Sequence, residues 1–505
     1  MKHLLKLMSL PAAVVACAAL APAFAAVSID TVALRNAVTV DGVRAHQLAL
    51  QGIADANQGT RVAGSPGHDA SAAYVYNKLA AAGYQVSYQP FEFAFFQRTA
   101  DSVVQQLAPS PKVYAYGVDQ FTMDYSGSGV VSAAVQAVDL LLPPTGGSTS
   151  GCEAADFAGF FAGRIALIQR GTCTFQLKVA NAVTAGAVGV VIFNEGNTPD
   201  REPLFGGTLG APVSIPVIST SFAVGQELNG LIGSGLQLRL QTSTISELRT
   251  TNNVIADSPG GRSDRIAVVG AHLDSVAEGP GINDNGSGSA MILEIALKMA
   301  ELRIQPVNKV RFAFWSAEES GLLGSLHYVN SLSKRDIKNI AVNLNFDMVG
   351  SPNFVRFVYD GDGSATPLAG PNGSKVIEDV FLDFFASQGL QNAPTAFDGR
   401  SDYGPFIDVG IPAGGLFTGA EGIKSIEQAA SYGGTAGVAY DPCYHLACDT
   451  YFNNSDIALD QLSNAAAHAV LTFAMTTSAV NGTDKGKGSG QYKGKLPYFG
   501  SRLQR

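Results

Sequence analysis

The sequence predicts an α/β fold: a mixed central sheet flanked by helices on both faces, with a β-rich domain inserted into it. Three observations predict this. Three apolar runs, 266-IAVVGA-271, 310-VRFAFW-315 and 341-AVNLNF-346, read as strands buried on both faces. Helical periodicity runs over Ser287 to Leu302, Val376 to Gln388 and Ile457 to Thr476, so strands and helices alternate as in a sheet covered on both sides. Between about residues 111 and 245 the texture changes to short β-branched stretches separated by glycine-rich turns.

The N-terminus reads as a secretory signal over residues 1–25. Lys2 and Lys6 precede an apolar stretch from Leu7 to Leu20, and Ala23-Phe24-Ala25 fits an A-x-A cleavage site. Val14-Val15-Ala16-Cys17 also resembles a lipoprotein processing box. The apolar stretch continuing past Cys17 favours plain secretion, with lipid anchoring at Cys17 the minor alternative. No later segment has the apolar length of a transmembrane helix.

Residues 36–110 open the enzyme domain. Val43 to Asn57 and Ser71 to Ala82 carry helical patterns, and Tyr84 to Ala94 alternates like a half-buried strand, with Pro90 pointing to a sheet edge. In the insert, 164-RIALIQRG-171 reads as a strand. The stretch 175-FQLKVANAVTAGAVGVVIFNEG-196 reads as a helix leading into a strand, and 215-IPVISTS-221 and 236-LQLRLQT-242 complete the segment. The enzyme domain resumes over 246–480. Residues 481–505, rich in glycine and lysine, have little to bury and read as a disordered tail or one removed in maturation.

Composition narrows the function. At 505 residues with 46% hydrophobic and 15% charged residues, the chain can bury a large core. A net charge of −9 argues against nucleic-acid binding. Apart from Cys17, four cysteines remain, Cys152, Cys173, Cys443 and Cys448. An even number in an exported chain implies two disulfides. Sequence order favours Cys152–Cys173 and Cys443–Cys448, although other connectivities are open. The lack of CxxC spacing counts against metal binding by these thiols.

The chemistry gathers at the ends of the three strands, where open α/β sheets collect ligands. His272 and Asp274 form an H-x-D pair at the first strand end. Asp274 either accepts the second N–H of a metal-bound His272 or stabilises the local turn. Asp284 sits in 281-GINDNGSGSA-290, a glycine-rich turn opening a helix, where one carboxylate can reach two ions. Glu318 and Glu319 are adjacent, and adjacent side chains serve one site only where the strand is already turning, as Ser320-Gly321 suggests. One of them can then bind metal while the other acts as a base towards water. Asp347 supplies a further carboxylate. His445 lies in 441-DPCYHLACDT-450, a loop braced by its cysteines, beside Tyr444, whose phenol can stabilise an oxyanion. His46, His68, His327 and His468 are taken as structural. Taken together, the group suggests a hydrolase with two metal ions.

At these residues the chain resembles the secreted co-catalytic di-zinc aminopeptidases, the bacterial leucyl-aminopeptidase-like family. The matching stretches are 272-HLD-274, 283-NDNGSG-288, 317-AEESGLLGS-325, 345-NFDMVG-350, 399-GRSDYGPF-406 and 443-CYHLAC-448. The stretches 164-RIALIQRGTCTF-175 and 186-GAVGVVIFNEG-196 resemble a protease-associated domain. The resemblance implies that His272 and Asp347 bind one zinc, Glu319 and His445 the other, and that Asp284 bridges them. It implies Glu318 as general base, Asp274 orienting His272, Tyr444 stabilising the transition state and Arg400 contacting the substrate. The implied reaction removes one residue, usually a large hydrophobic one, from the N-terminus of a peptide or protein. Such enzymes also bind calcium, for which no motif here gives a place. A monomer is expected, with the insert limiting access to the site. The alternatives are a carboxypeptidase or a glutaminyl-cyclase-like enzyme of the same fold, or a binding relative without catalysis.

Overall fold

Strands buried on both faces need apolar side chains on both, and the three apolar runs form the middle of the sheet. The structure, a computed structural model, describes residues 29–481. The strand Arg262–His272 lies between Asn308–Trp315 and Ile340–Phe346 and is parallel to both. Trp315 pairs with His272 and Asn345 with Gly270, so all three strands end at one edge. Beyond Ile340–Phe346 follow Ala413–Phe417, parallel to it, then Phe357–Tyr359, antiparallel, and Ala393–Thr395. On the other side Gln237–Asp257 joins antiparallel to Asn308–Trp315. The sheet is therefore mixed, as expected.

Alternate side chains of these strands feed two cores. Ala267, Val269, Phe312, Phe314, Val342 and Leu344 pack on the helices Val40–Ala56, Pro66–Ala81, Gly286–Glu301, Ser374–Ser387 and Asp456–Met475. Val268, Ala313, Trp315 and Ile340 face the opposite way, onto Tyr328, Val329 and Phe406. Burial of each Val, Leu, Ile or Phe side chain among them contributes about 1.5–3 kcal/mol.

Two elements differ from the expectation. The second N-terminal helix begins at Pro66 rather than Ser71, because Ser65 caps it and accepts a hydrogen bond from His68 N, with proline in the first turn. The strand expected to end at Ala94 runs on to Ala108 and pairs antiparallel with Gln237–Asp257 along its whole length, Gln85 with Asp257 and Ala108 with Gln237. Pro90 lies on this outer strand, where its missing N–H costs no ladder bond to a further strand.

That long ribbon carries the insert. From Gln237–Asp257 the sheet continues through Gly129–Val138, Ile165–Gln169, Gly189–Phe193 and Val217–Thr220 to Gln120–Thr122. The helices Phe175–Thr184 and Phe222–Leu231 accompany these strands, and Val104, Leu238 and Leu240 at the outer end of the ribbon belong to the insert's core. The strand Gln237–Asp257 crosses the boundary expected at residue 245 without a break. Cys152 is bonded to Cys173 and Cys443 to Cys448. Among the described residues no helix is long and apolar enough to cross a membrane. The signal reading over 1–25, Cys17 and the tail after 481 lie outside the described residues.

Candidate active site

Turns and loops at the ends of these elements bring the ionisable residues together. His272 is the last residue of its strand; its carbonyl accepts from Ser289 Oγ at 2.6 Å. Its Nδ1 lies 3.2 Å from the backbone oxygen of Asp274, which leaves Nε2 facing the other acids. The Asp274 carboxylate is 3.7 Å from that ring nitrogen and accepts from the backbone N–H of Glu318 at 3.2 Å and of Glu319 at 3.4 Å. The Asp274 backbone oxygen thus meets His272, while its carboxylate holds the Glu318-Glu319 turn.

The Glu318-Glu319 turn follows Ala317, whose φ of +54° is left-handed. The chain leaves the strand there, so both glutamates reach the same centre. Met348, directly after Asp347, and His445 itself also have positive φ, of 49° and 57°. Non-glycine residues are held in this region only where the surroundings fix them, and such positions cluster at functional sites.

Asp284 precedes the helix Gly286–Glu301. Asn285 caps that helix by accepting from Gly288 N at 2.9 Å and Met348 N at 3.2 Å, and donates to Phe346 O at 2.9 Å. Helix start and Asp347 strand end are therefore tied together. Gly288 is required in this seam, since a Cβ would lie 2.3 Å from Phe346 O.

The resulting geometry is symmetrical about Asp284. His272 Nε2 lies 3.1 Å from its Oδ1, and His445 Nε2 lies 3.2 Å from its Oδ2. On the outer sides Asp347 Oδ1 is 3.3 Å from His272 Nε2, and Glu319 Oε2 is 3.1 Å from His445 Nε2. Glu318 Oε2 stands further off, 3.9 Å from His272 Nε2.

The charge balance is unfavourable without a cation. Burial pushes the Glu318 carboxyl well above the ordinary range despite His272, with Asp402 and Asp347 adding to the rise. Glu319 is raised to about 7, first by burial. Burial alone would lower the His445 imidazole, but Glu319 and Asp284 overcome it and raise it to about 10. For His272, likewise, Asp347 and Glu318 outweigh burial and raise it. Asp284 goes the other way: burial would raise it, but His272 and His445 hold it below the ordinary range.

A dication fits this set. Ligand atoms of His272, Asp284 and Glu319 lie within 4.8 Å of one another, as do those of His272, Glu318 and Asp347. Asp347 Oδ1 and Glu319 Oε1 are buried without a hydrogen bond. Imidazole nitrogens with carboxylate oxygens are the donors zinc takes. A separate acidic group, Asp360, Asp362 and Glu378, is held by its own backbone: Asp360 accepts from Ser364, Ala365 and Thr366 N–H.

Beside the centre opens a cavity of about 290 Å³, with Glu318 and Asp347 on one wall and Met348, Phe357, Tyr359, Phe417 and Tyr440 on others. Tyr444 and Arg400 also line it. Arg400 donates to Tyr444 Oη at 3.1 Å and to Glu421 at 3.0 Å. The Tyr444 ring stacks on His445 with centroids 3.8 Å apart.

All nine residues expected here stand at one place, and among the described residues the other histidines do not join them. His46 contacts Tyr74 and Glu294, His68 faces Asn252 O, His327 stacks on Phe91, and His468 meets Thr31. Supporting residues went unread in the sequence. Ser401 donates to Asp347 Oδ2 at 2.6 Å. Asp449 accepts from the N–H groups of Asn283 and Asp284 at 2.8 and 2.9 Å, tying the disulfide loop to the Asp284 turn. Arg61, fully buried, donates to the carbonyls of Leu273, Pro280 and Gly281. Ser401 lies in 399-GRSDYGPF-406 and Asp449 in 441-DPCYHLACDT-450, so their place in the sequence is a signal; Arg61 has no such local signal.

Residues 253–470 match the model of Peptidase family M28, and residues 133–228 match that of the PA domain. Over 437 residues the chain is 48% identical to an aminopeptidase of Pseudomonas aeruginosa, covering 86% of this chain and 80% of that one. It is 38% identical over 449 residues to leucine aminopeptidase 2 of Trichophyton rubrum, covering 87% and 85%. Among solved structures, an aminopeptidase from Aneurinibacillus sp. strain AM-1 aligns with a TM-score of 0.60 at 27% identity, over 87% of this chain and 95% of that one. A zinc aminopeptidase from Bacillus subtilis aligns at 0.56 and 25% identity, over 86% and 95%. Fold, site and relatives agree: the chain belongs to peptidase family M28, as an aminopeptidase with an inserted PA domain.

Proposed function

We propose that the protein is an exported, zinc-dependent aminopeptidase that removes large hydrophobic residues from peptide N-termini using two metal ions. The observation that carries this reading is the Asp284 carboxylate with one imidazole on each oxygen, at 3.1 and 3.2 Å. His272 and Asp347 would hold one zinc, Glu319 and His445 the other, and Asp284 both. Zinc bound there supplies a Lewis acid for the scissile carbonyl and lowers the pKa of water.

The remaining work falls to the chain's own groups. Glu318, left out of the ligand set, accepts a proton from the attacking water and passes it to the departing amine. Burial, with Asp284 and Glu319 close by, keeps the Tyr444 phenol well above its ordinary value, so it stays a donor. Because Arg400 donates to the phenol oxygen, the Tyr444 O–H is left to point at the oxyanion. The substrate ammonium is met by Glu318 and Asp347, and its side chain by the walls of Phe357, Phe417 and Tyr440. Arg400 is already engaged by Glu421, which disfavours a carboxypeptidase that needs a cation for a terminal carboxylate. Export rests on the signal reading and on two disulfides.

The test is hydrolysis of leucine-p-nitroanilide beside its N-acetyl form, with chelation and zinc add-back. Cleavage of the free amine only, lost on chelation and restored by zinc, is the expected result. Equal cleavage of the acetylated form, or indifference to chelator, would rule the reading out.

A further inference from the structure

Glu319 and His445 line two cavities, not one. Besides the 290 Å³ cavity they line a second, of about 140 Å³, whose other lining residues are different. Its walls include Phe95, Phe96 and Arg98 from the long ribbon, Thr122 and Asp124 from the insert, and Ala277 from the turn after His272. A third cavity of about 520 Å³ shares Val62, Phe95, Gln97 and Ala277 with the second, so the two form one groove leading away from the reactive groups.

We infer that this groove is the path of the departing peptide, and that the ribbon makes the enzyme favour substrates continuing several residues past the scissile bond. The inference rests on the proposed aminopeptidase chemistry. An N-terminal residue has an ammonium and one side chain to place, and the acid-rich, apolar-walled cavity suits both. The rest of the substrate must then leave the centre on another side, where Glu319 and His445 open onto the groove.

The groove wall suits a main chain of any sequence. Over Phe95–Arg98 the ribbon pairs on one side with Glu247–Thr244, while its second partner, Lys112–Tyr114, reaches only Val104–Gln106. Tyr125 Oη donates to Ala94 O at 3.3 Å at the start of this stretch, but among the described residues no strand is paired to Phe95–Arg98 on that side. An unpaired strand edge can take an extended peptide through main-chain hydrogen bonds, with little reading of side chains. Phe96, tilted against Tyr125 at 5.6 Å, and Arg98, over the Tyr116 ring at 4.8 Å, are fixed on the wall beside it. The lining carries Arg98 beside the carboxylates of Asp124, Asp274, Glu278 and Glu319, so the test uses amidated peptides without charged side chains, which vary in length alone.

The experiment compares kcat/KM for the amidated series Leu-Ala, Leu-Ala-Ala and Leu-Ala-Ala-Ala with the zinc-loaded full chain. Binding energy remote from the reacting bond lowers the barrier, so a rise of about tenfold from the shortest to the longest is expected. Phe96→Ala and Arg98→Ala should each reduce that ratio about fivefold, since contact residues of this kind carry much of an interface. The ratio is taken within one preparation, so partial unfolding cancels, and Arg98, about a third exposed, is the safer variant. Cleavage without length dependence in the unaltered enzyme overturns the inference alone. Ratios unchanged in both variants overturn the ribbon's part in it. Failure to cleave any of the three peptides overturns the aminopeptidase chemistry, and the groove with it.

Discussion

Glu318 and Glu319 are chemically identical and adjacent, yet their surroundings separate them. Glu319 sits 3.1 Å from His445 Nε2, whereas Glu318 stands 3.9 Å from the nearest imidazole and beside buried acids. Glu318→Gln should therefore retain both metals by elemental analysis while kcat falls by about 10²–10⁴. Loss of metal would show that the two roles are exchanged. The raised His445 imidazole supports a second prediction. With a folded-state value of about 10 against about 6.5 unfolded, its proton stabilises the metal-free fold below the unfolded value, and this is lost as pH rises towards 10. A metal must displace that proton, so zinc affinity should climb through the same window. Titration calorimetry at pH 7 in buffers of different ionisation heat should find about one proton or more released per zinc bound. No proton release would remove His445 from the ligand set. The side chains proposed to hold the ions were legible in the sequence because ligand chemistry restricts residue type. Arg61 was not, because its work is to hold three main-chain carbonyls that any sequence provides.

Among elements, legibility followed burial. Ile340–Phe346 is buried at all seven positions and Arg262–His272 from Ile266 onward, so they read as unbroken apolar runs with clear ends. The outer half of Gln85–Ala108 has exposed residues such as Thr99, Ala100 and Asp101, and its partner lies more than a hundred residues away. Nothing local announces such a pairing, so the strand was expected to stop at Ala94. The disulfide loop was legible from its two cysteines, but its hydrogen bonds were not. Asp441 accepts from Cys443 N at 2.8 Å and Asn283 Nδ2 at 2.6 Å, while Asp449 holds the Asp284 turn. The loop is thus held twice. Replacing Cys443 and Cys448 by serine should cost about 2 kcal/mol of stability. Zinc affinity should weaken about tenfold, as loss of groups that orient ligands does, without abolishing activity. An enzyme with full zinc affinity after this change would show that the hydrogen bonds alone organise His445.

At the scale of the molecule, the insert and the catalytic core meet through one ribbon. The core packed around the central strands draws on residues up to Tyr84 and from Val254 onward, with none between 109 and 236. The insert's core takes Val104, Leu238 and Leu240 from the ribbon's far end. Cutting between Arg98 and Thr244, which face each other across the ribbon, removes those side chains along with the core that covers them. A chain lacking residues 99–243 and closed there by an Asn-Gly hairpin turn should therefore fold without exposing the insert's interior. Such a chain keeps Phe95–Arg98 but loses Thr122 and Asp124 from the groove beside the reactive groups. If the insert limits access, bulky N-termini should reach the site more readily with that wall gone. Removal of the first residue from a small folded protein, relative to that from Leu-Ala-Ala-Ala amide, should rise about tenfold, roughly 1.4 kcal/mol in barrier. A folded shortened enzyme with the same ratio as the intact one would show that the insert does not control access, and would leave it a role in stability alone.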